Sequence, residues 1–305
     1  MNFDFIAYPL GQFLYFIYNT LAFHNYGLAI IIFTVIMKFV LLPLTVKQYH
    51  STAKMQEIQP QIQEIQKRYK NDKEKLNQEM MRIYQENKVN PAGGCLPMLL
   101  QLPIMLSLYW VIVQPLKFML SIPVEKIYGK INESKVAIEE GLVQIFNITQ
   151  GFGAEIKIVN QFDPGKASRI LSPEMIDKII DIARGFKFLG MNLSLQATID
   201  TNKLFGPEAG TYLPLLLFPI VGVITTYISS KLTTPPASQN QKTGGQTGGG
   251  MANSMMYMGP LMTLIFSFQL PAGVVLYWIA GYVFQIFQQL YINKYVVKKK
   301  EVARK

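Results

Sequence analysis

Cysteine occurs once in these 305 residues, at Cys95, which excludes an internal disulfide framework and a thiolate metal cluster. The two histidines, His24 and His50, have no partner at ligand spacing. The chain lacks a GxxxxGK[ST] phosphate loop, a GxSxG nucleophile elbow and an HExxH helix. No enzymatic chemistry, cofactor, metal or DNA partner is therefore expected. Charge is sparse at 16%, while 50% of residues are hydrophobic and fall in uninterrupted runs. That combination indicates a multi-span membrane protein and not a soluble enzyme.

The stretch YGLAIIIFTVIMKFVLLPLTVKQ, residues 26–48, is long and apolar enough to cross a bilayer as one helix. Lys38 sits in its middle. A charge near the bilayer centre costs about 2.5–3.5 kcal/mol on insertion scales, so it marks a functional site by default. Thr34 lies one turn before it and Thr45 two turns after, making one polar stripe. Two readings stand: Lys38 snorkels to the headgroups, or it faces a polar cavity. Snorkelling would require a climb on the order of 12 Å, about twice the reach of a lysine stem. The cavity is the better account.

Residues 1–25 read as an amphipathic helix lying on the outer face, opened by Pro9. Leu10, Phe13, Leu14, Ile17 and Leu21 share one face, and Gln12, Tyr15 and Asn19 another. An extra span and a cleaved signal are the weaker alternatives. Residues 49–94 turn polar, and Met55, Ile58, Ile62, Ile65 and Tyr69 recur at spacings of three and four. After Asn71-Asp72 a second seam follows in Leu76, Met80 and Ile83, which predicts an antiparallel helical hairpin kinked at Pro60.

The second span is expected over 95–120, with the amide Gln101 inside it. Residues 121–210 carry ten basic and eleven acidic residues in a partly helical loop, with helices expected over 134–148 and 173–186. A third span over 211–230 is followed by a flexible linker over 231–253. A short fourth span, 254–269, leads into a fifth, 272–293, and a basic tail over 294–305. On the fifth, Trp278, Tyr282, Gln285 and Gln289 form a second polar stripe able to face Lys38. The fold class is thus an all-α polytopic membrane protein.

Orientation follows from positive charge. Residues 293–305 hold six basic residues and one acidic, and the hairpin is also net basic. The positive-inside rule puts tail, linker and hairpin in the cytoplasm and residues 121–210 outside. Five spans then require an outer N-terminus. No Asp or Glu occurs in any span, so Lys38 has no acidic partner there and must be solvated or lose its proton.

The segments YGLAIIIFTVIMKFVLLPLTVKQ, EIQPQIQEIQKRY, VNPAGGCLPMLLQLPIMLSLYWV and FQLPAGVVLYWIAGYVFQIFQQLYINK resemble the bacterial YidC membrane protein insertases. Mitochondrial and thylakoid insertases are more distant relatives. The resemblance covers both ends of the chain and skips much of 121–185. It implies five transmembrane helices around a hydrophilic groove that opens to cytoplasm and lipid and is closed outside. It implies a hairpin that receives substrates, here through Met55, Ile58, Ile62, Ile65, Met80 and Ile83. The groove would be lined by Lys38, Thr34, Thr45, Gln101, Trp278, Tyr282 and Gln285. The family's groove cation is commonly arginine, and here it is Lys38. The lipoprotein cysteine of some relatives is missing, so an unlipidated copy in the bacterial plasma membrane is expected. Nascent membrane proteins and the lipid bilayer are the implied partners, with the ribosome and the general secretion channel as further candidates. The rival class, a small-solute channel or transporter, predicts paired charges and an inverted repeat, neither of which is visible.

Overall fold

Asn25 and Pro43 bracket the segment that decides the architecture. The Asn25 side chain caps the helix Tyr26–Val40 by accepting the Leu28 amide at 3.0 Å. Pro43 has no amide to continue the ladder, and the helix is interrupted at Leu41 before resuming as Leu42–Arg68. The single span expected over 26–48 is therefore two helices, and Lys38 occupies the last turn of the first. The computed structural model describes residues 4–89, 96–131, 137–151, 153–233 and 249–292. The linker core and the basic tail lie outside the described residues.

Five apolar helices carry the fold: Tyr26–Val40, Leu96–Val113, Leu217–Thr233, Gly249–Ser267 and Ala272–Ile292, called first to fifth below. By length and composition two can cross a membrane, the fifth and the continuous stretch Ala209–Thr233 that contains the third. The second ends at Val113, well short of the expected 120, because Pro115 restarts the chain as the turn Pro115–Phe118. Lys117, inside the expected span, belongs to that turn and donates to Asp4 at 2.9 Å. The fourth helix begins at Gly249, earlier than expected. The third packs on the fourth and fifth, and the fifth packs on the first.

The N-terminal helix, Asp4–Thr20, starts ahead of Pro9 and carries it inside. It is more than a surface helix. Ala7, Gly11, Leu14, Ile17 and Tyr18 are buried, and the helix packs on the first and second apolar helices. Gln12, assigned above to the polar face, donates to the carbonyls of Phe118 at 2.8 Å and Met119 at 3.1 Å. Those carbonyls lie at the C-terminal end of the turn Pro115–Phe118, where a helix end leaves acceptors unpaired, so Gln12 satisfies backbone groups that the turn itself cannot.

Leu42–Arg68 and Lys73–Glu86 form a hairpin whose second arm is capped by the Asp72 carboxylate, accepting the Lys75 amide at 3.1 Å. Ile58, Ile62, Ile83 and Val89 make a small core there, flanked by Met55 and Ile65 and separate from the main one.

The segment 121–210 is not wholly helical. Lys130–Ile131 pairs antiparallel with Ala137–Glu139, and Lys187–Phe188 with Met191–Asn192. The helix expected over 134–148 is kept only as the turn Leu142–Ile145, because 137–139 pair across to 130–131, with Lys130 donating to Glu139 at 3.1 Å. Local propensity loses to a tertiary pairing. Hydrogen bonds at two places dock this segment on the helices, among other contacts. Tyr18 donates to the Asp181 carbonyl at 2.9 Å, and His24 Nδ1 meets the Asp181 carboxylate at 2.9 Å. The stretch 193–196 crosses the start of the fifth helix, where Gly273 donates to Leu193 and Ala272 to Leu195, each at 2.8 Å. These bonds use amides that a helix start otherwise leaves unpaired.

Candidate functional site

Ile30, Thr34 and Lys38 follow one another at four-residue intervals down one face of the first helix. The fifth helix runs parallel beside it, so that Ile30 meets Gly273 and Lys38 meets Gly281. A methyl group placed on Gly281 would lie 3.5 Å from Lys38 Cε, 3.8 Å from Nζ and 4.0 Å from Thr34 Cγ2. A methyl there would make ordinary van der Waals contact, so the lysine stem packs directly against this face, and a larger side chain would compete with it. Among the described residues no salt bridge includes Lys38.

Thr34 is fully buried and turns its hydroxyl back to the Ile30 carbonyl at 2.6 Å. Thr45 does the same to Leu41 at 2.9 Å, but on the far side of the helix break. The stripe expected through Thr34, Lys38 and Thr45 is thus interrupted at Leu41, since the break ends the register that would align them. Gln101 lies on the second helix, with its side chain outside the described residues.

The stripe expected on the fifth helix faces elsewhere. Trp278 stands edge-on to Phe266 of the fourth helix at 6.3 Å, and Tyr282 interacts with the Thr226 hydroxyl of the third. Trp278, Tyr282, Gln285 and Gln289 share one side, roughly a quarter turn from the Gly281 face that meets Lys38. Gln285 lies nearest to that face, and Gln288 shares it. The Gln288 amide nitrogen, the Trp278 indole nitrogen and the Ser107 hydroxyl are buried with no hydrogen-bond partner among the described residues. Buried groups of that kind normally pair with protein or water.

A second polar seam joins the third and fourth helices. Thr226 and Thr263 bring their hydroxyl oxygens to 3.2 Å, and Thr225, Ser229 and Ser267 are buried nearby in sequence. Gly281, Gln288, Ser107 and this seam were missed from sequence. Only Gly281 carried a signal, because a helix-interior glycine costs about 1 kcal/mol and needs a packing reason.

On the hairpin, Ile58, Ile62 and Ile83 are spent on its own core, while Met55, Ile65 and Met80 stay half-buried. Met81, not singled out above, is the more exposed residue.

Above the helices, Glu155 is 0% exposed. It accepts from the Lys117 amide and the Tyr128 hydroxyl, each at 3.1 Å. Burial pushes its carboxyl up to about 7, although those hydrogen bonds pull the other way. The same burial and the nearby carboxylate push the Tyr128 phenol up.

The sequence profile of the family described as 60Kd inner membrane protein matches residues 16–300. A Clostridium perfringens (strain 13 / Type A) protein named membrane protein insertase YidC is 30% identical over 276 residues, covering 90% of this chain and 82% of its own length. A Syntrophobacter fumaroxidans protein of the same name is 31% identical over 293 residues, 96% of this chain and 38% of its own length. A Haemophilus influenzae (strain PittEE) protein, also so named, is 50% identical over 110 residues, 36% of this chain. The chain matches only 20% of that relative's length. A solved structure titled "Active YidC insertase crystal structure with the first transmembrane domain resolved" superposes with a TM-score of 0.51 at 22% identity. It covers 95% of this chain and 47% of that one, a likeness of fold.

Proposed function

Because the chain belongs to the 60Kd inner membrane protein family, we propose that it is a membrane protein insertase acting on nascent hydrophobic proteins. The five apolar helices cross the bilayer. Residues 121–210 lie outside, and the hairpin, linker and tail lie in the cytoplasm. Exposed aliphatic and aromatic residues on three of the helices, such as Ile220, Ile224, Leu261, Ile265 and Phe287, suit contact with lipid. The observation that carries the reading is Lys38, held between Thr34 and Gly281 with no carboxylate paired to it.

The mechanism has no covalent step. A polar tail crossing intact hydrocarbon loses several kcal/mol for each unpaired backbone group. A wet path beside Lys38 shortens that crossing, and the cation attracts acidic tails in a low-dielectric setting. The substrate's apolar helix then leaves into lipid. The stretch 193–196 closes the outer end, which keeps the path from becoming a pore. The ribosome and the secretion channel are the candidate partners on the cytoplasmic and lateral sides. A solute channel remains the second reading, with Lys38 as its intramembrane charge, but the names of the relatives do not favour it.

Photocrosslinking tests this directly. A photoreactive residue at Gln285 should capture a nascent single-span protein, and one at the lipid-facing Phe287 should capture mainly lipid. Accumulation of the Gln285 variant without any protein adduct would overturn the reading.

A further inference from the structure

A cavity of about 450 Å³ lies where the outer segment meets the ends of the apolar helices. Its size is within the usual range of small-molecule sites. Its floor includes Val113, the last residue of the second helix, and Phe268, just past the fourth. Its walls carry Lys157, Lys203, Ser194 and Tyr212. Lys203 places its ammonium 4.9 Å from the centre of the Tyr212 ring. Neither lysine forms a salt bridge among the described residues.

From Tyr212 the wall leads down an apolar track. Leu213, Leu217, Ile220, Ile224 and Ile228 are all exposed and recur at spacings of three and four along Ala209–Thr233. They therefore form one stripe that starts at the cavity mouth and descends the third helix. A basic cavity above an exposed aliphatic stripe matches one kind of ligand, with an anionic head and long acyl chains. The other cavity of similar size, lined by Phe162, Ile180, Arg184 and Lys187, is also basic but includes no residue of the five apolar helices or of the exposed stripe.

We propose that the cavity formed by Lys157, Lys203, Ser194 and Tyr212 binds the phosphate headgroup of an anionic phospholipid, whose chains lie along Leu213, Leu217 and Ile220. The two ammonium groups neutralise the phosphate, and the Ser194 side, where Asn160 and Asn192 already share hydrogen bonds, offers neutral polar contacts. Assigning the lipid to the outer leaflet rests on the orientation proposed above. The binding site itself does not.

Native mass spectrometry of the full-length protein released from mixed micelles reads the site. The probes are phosphatidylglycerol and phosphatidylcholine of identical chains. Wild-type protein should retain one phosphatidylglycerol that phosphatidylcholine does not replace. The Lys157→Gln/Lys203→Gln protein should lose it, with about fivefold weaker retention for each lysine removed. A control, Lys126→Gln/Lys166→Gln, alters two lysines outside the cavity and should retain it. Leu213→Ser/Leu217→Ser should weaken retention of the lipid while leaving binding of inorganic phosphate unchanged. Equal retention of both lipids, or no difference between the two lysine pairs, would overturn the proposal. So would thermal stabilisation by inorganic phosphate equal to that by the lipid, which would make this a free-phosphate site. Displacement of the lipid by a short acidic peptide but not by excess lipid would assign the cavity to substrate tails instead. Impermeant-thiol labelling at Lys203→Cys from the cytoplasmic side alone would overturn the orientation and leave lipid retention unaffected.

Discussion

Lys38 carries a conditional charge, since arginine keeps its charge almost anywhere and a buried lysine can shed it. Lys38→Arg should preserve insertion. Lys38→Glu should fail most on substrates with acidic outer tails, and an assay pairing one acidic-tailed with one neutral-tailed substrate separates charge from bulk. Lys38→Ala should leave thermal stability unchanged or slightly raised, because no partner is orphaned. Equal activity of all three on both tails would remove attraction from the mechanism. Gly281→Leu offers an independent approach: its side chain would occupy the space of the Lys38 stem and should reproduce the acidic-tail defect. Glu155 makes a pH prediction. Its folded carboxyl titrates near 7 and its unfolded one near 4.5, so the folded state holds the extra proton between them. Stability is fully present below the unfolded value and is lost as pH rises through about 7, by up to roughly 3 kcal/mol. Glu155→Gln should flatten the difference in melting temperature between pH 5 and pH 8 in detergent. An unchanged slope would refute this.

Elements were legible where periodicity met a breaker. The apolar runs, the hairpin seams and the turn at Asp72 all announce themselves locally. Two prolines set the boundaries that were misjudged: Pro43 divides the Lys38 helix from the hairpin, and Pro115 ends the second helix early. Both were visible as residues, but a membrane helix often tolerates proline, so their effect depends on what repairs the freed carbonyls. The turn that follows Pro115 is held at its end by Gln12, more than 100 positions away, which no local pattern reveals. The surroundings of Lys38 were half legible for a similar reason. Lys38 stands out in a greasy run, whereas the face it meets is set by Gly281 and not by the more conspicuous Trp278 stripe. Two elements can be tested. A methyl at Gly27 would fall into the Phe188 ring, so Gly27→Ala should loosen the 187–192 hairpin and cost about 1–3 kcal/mol, read as a lowered melting temperature. Deleting Met55–Asn87 behind a short linker should spare accumulation, because the hairpin core is separate from the main one, yet slow insertion. Full-rate insertion would end the receiving role, and loss of accumulation would make the hairpin structural.

Across the whole molecule, one core reaches from the apolar helices into the segment 121–210, joining Phe33, Leu108 and Val275 with Ile158, Ile179 and Ile182. Stability measured on one part therefore reports on the other, which is why Glu155 is expected to influence melting of the whole. The proposed orientation is decided by single cysteines in a Cys95→Ser background on intact cells, probed with an impermeant thiol reagent. Ser168→Cys should react and Gln66→Cys should not; the reverse would invert the topology. The break at Leu41 has a mechanical consequence. The arm beyond it, Leu42–Arg68, is 27 residues and about 40 Å long, and its pivot lies three residues from Lys38. A swing of about 10° at that pivot carries the tip about 7 Å while the lysine hardly moves. The hairpin is a long lever on a short fulcrum, so a small change of angle at Leu41 displaces its tip far more than it displaces Lys38.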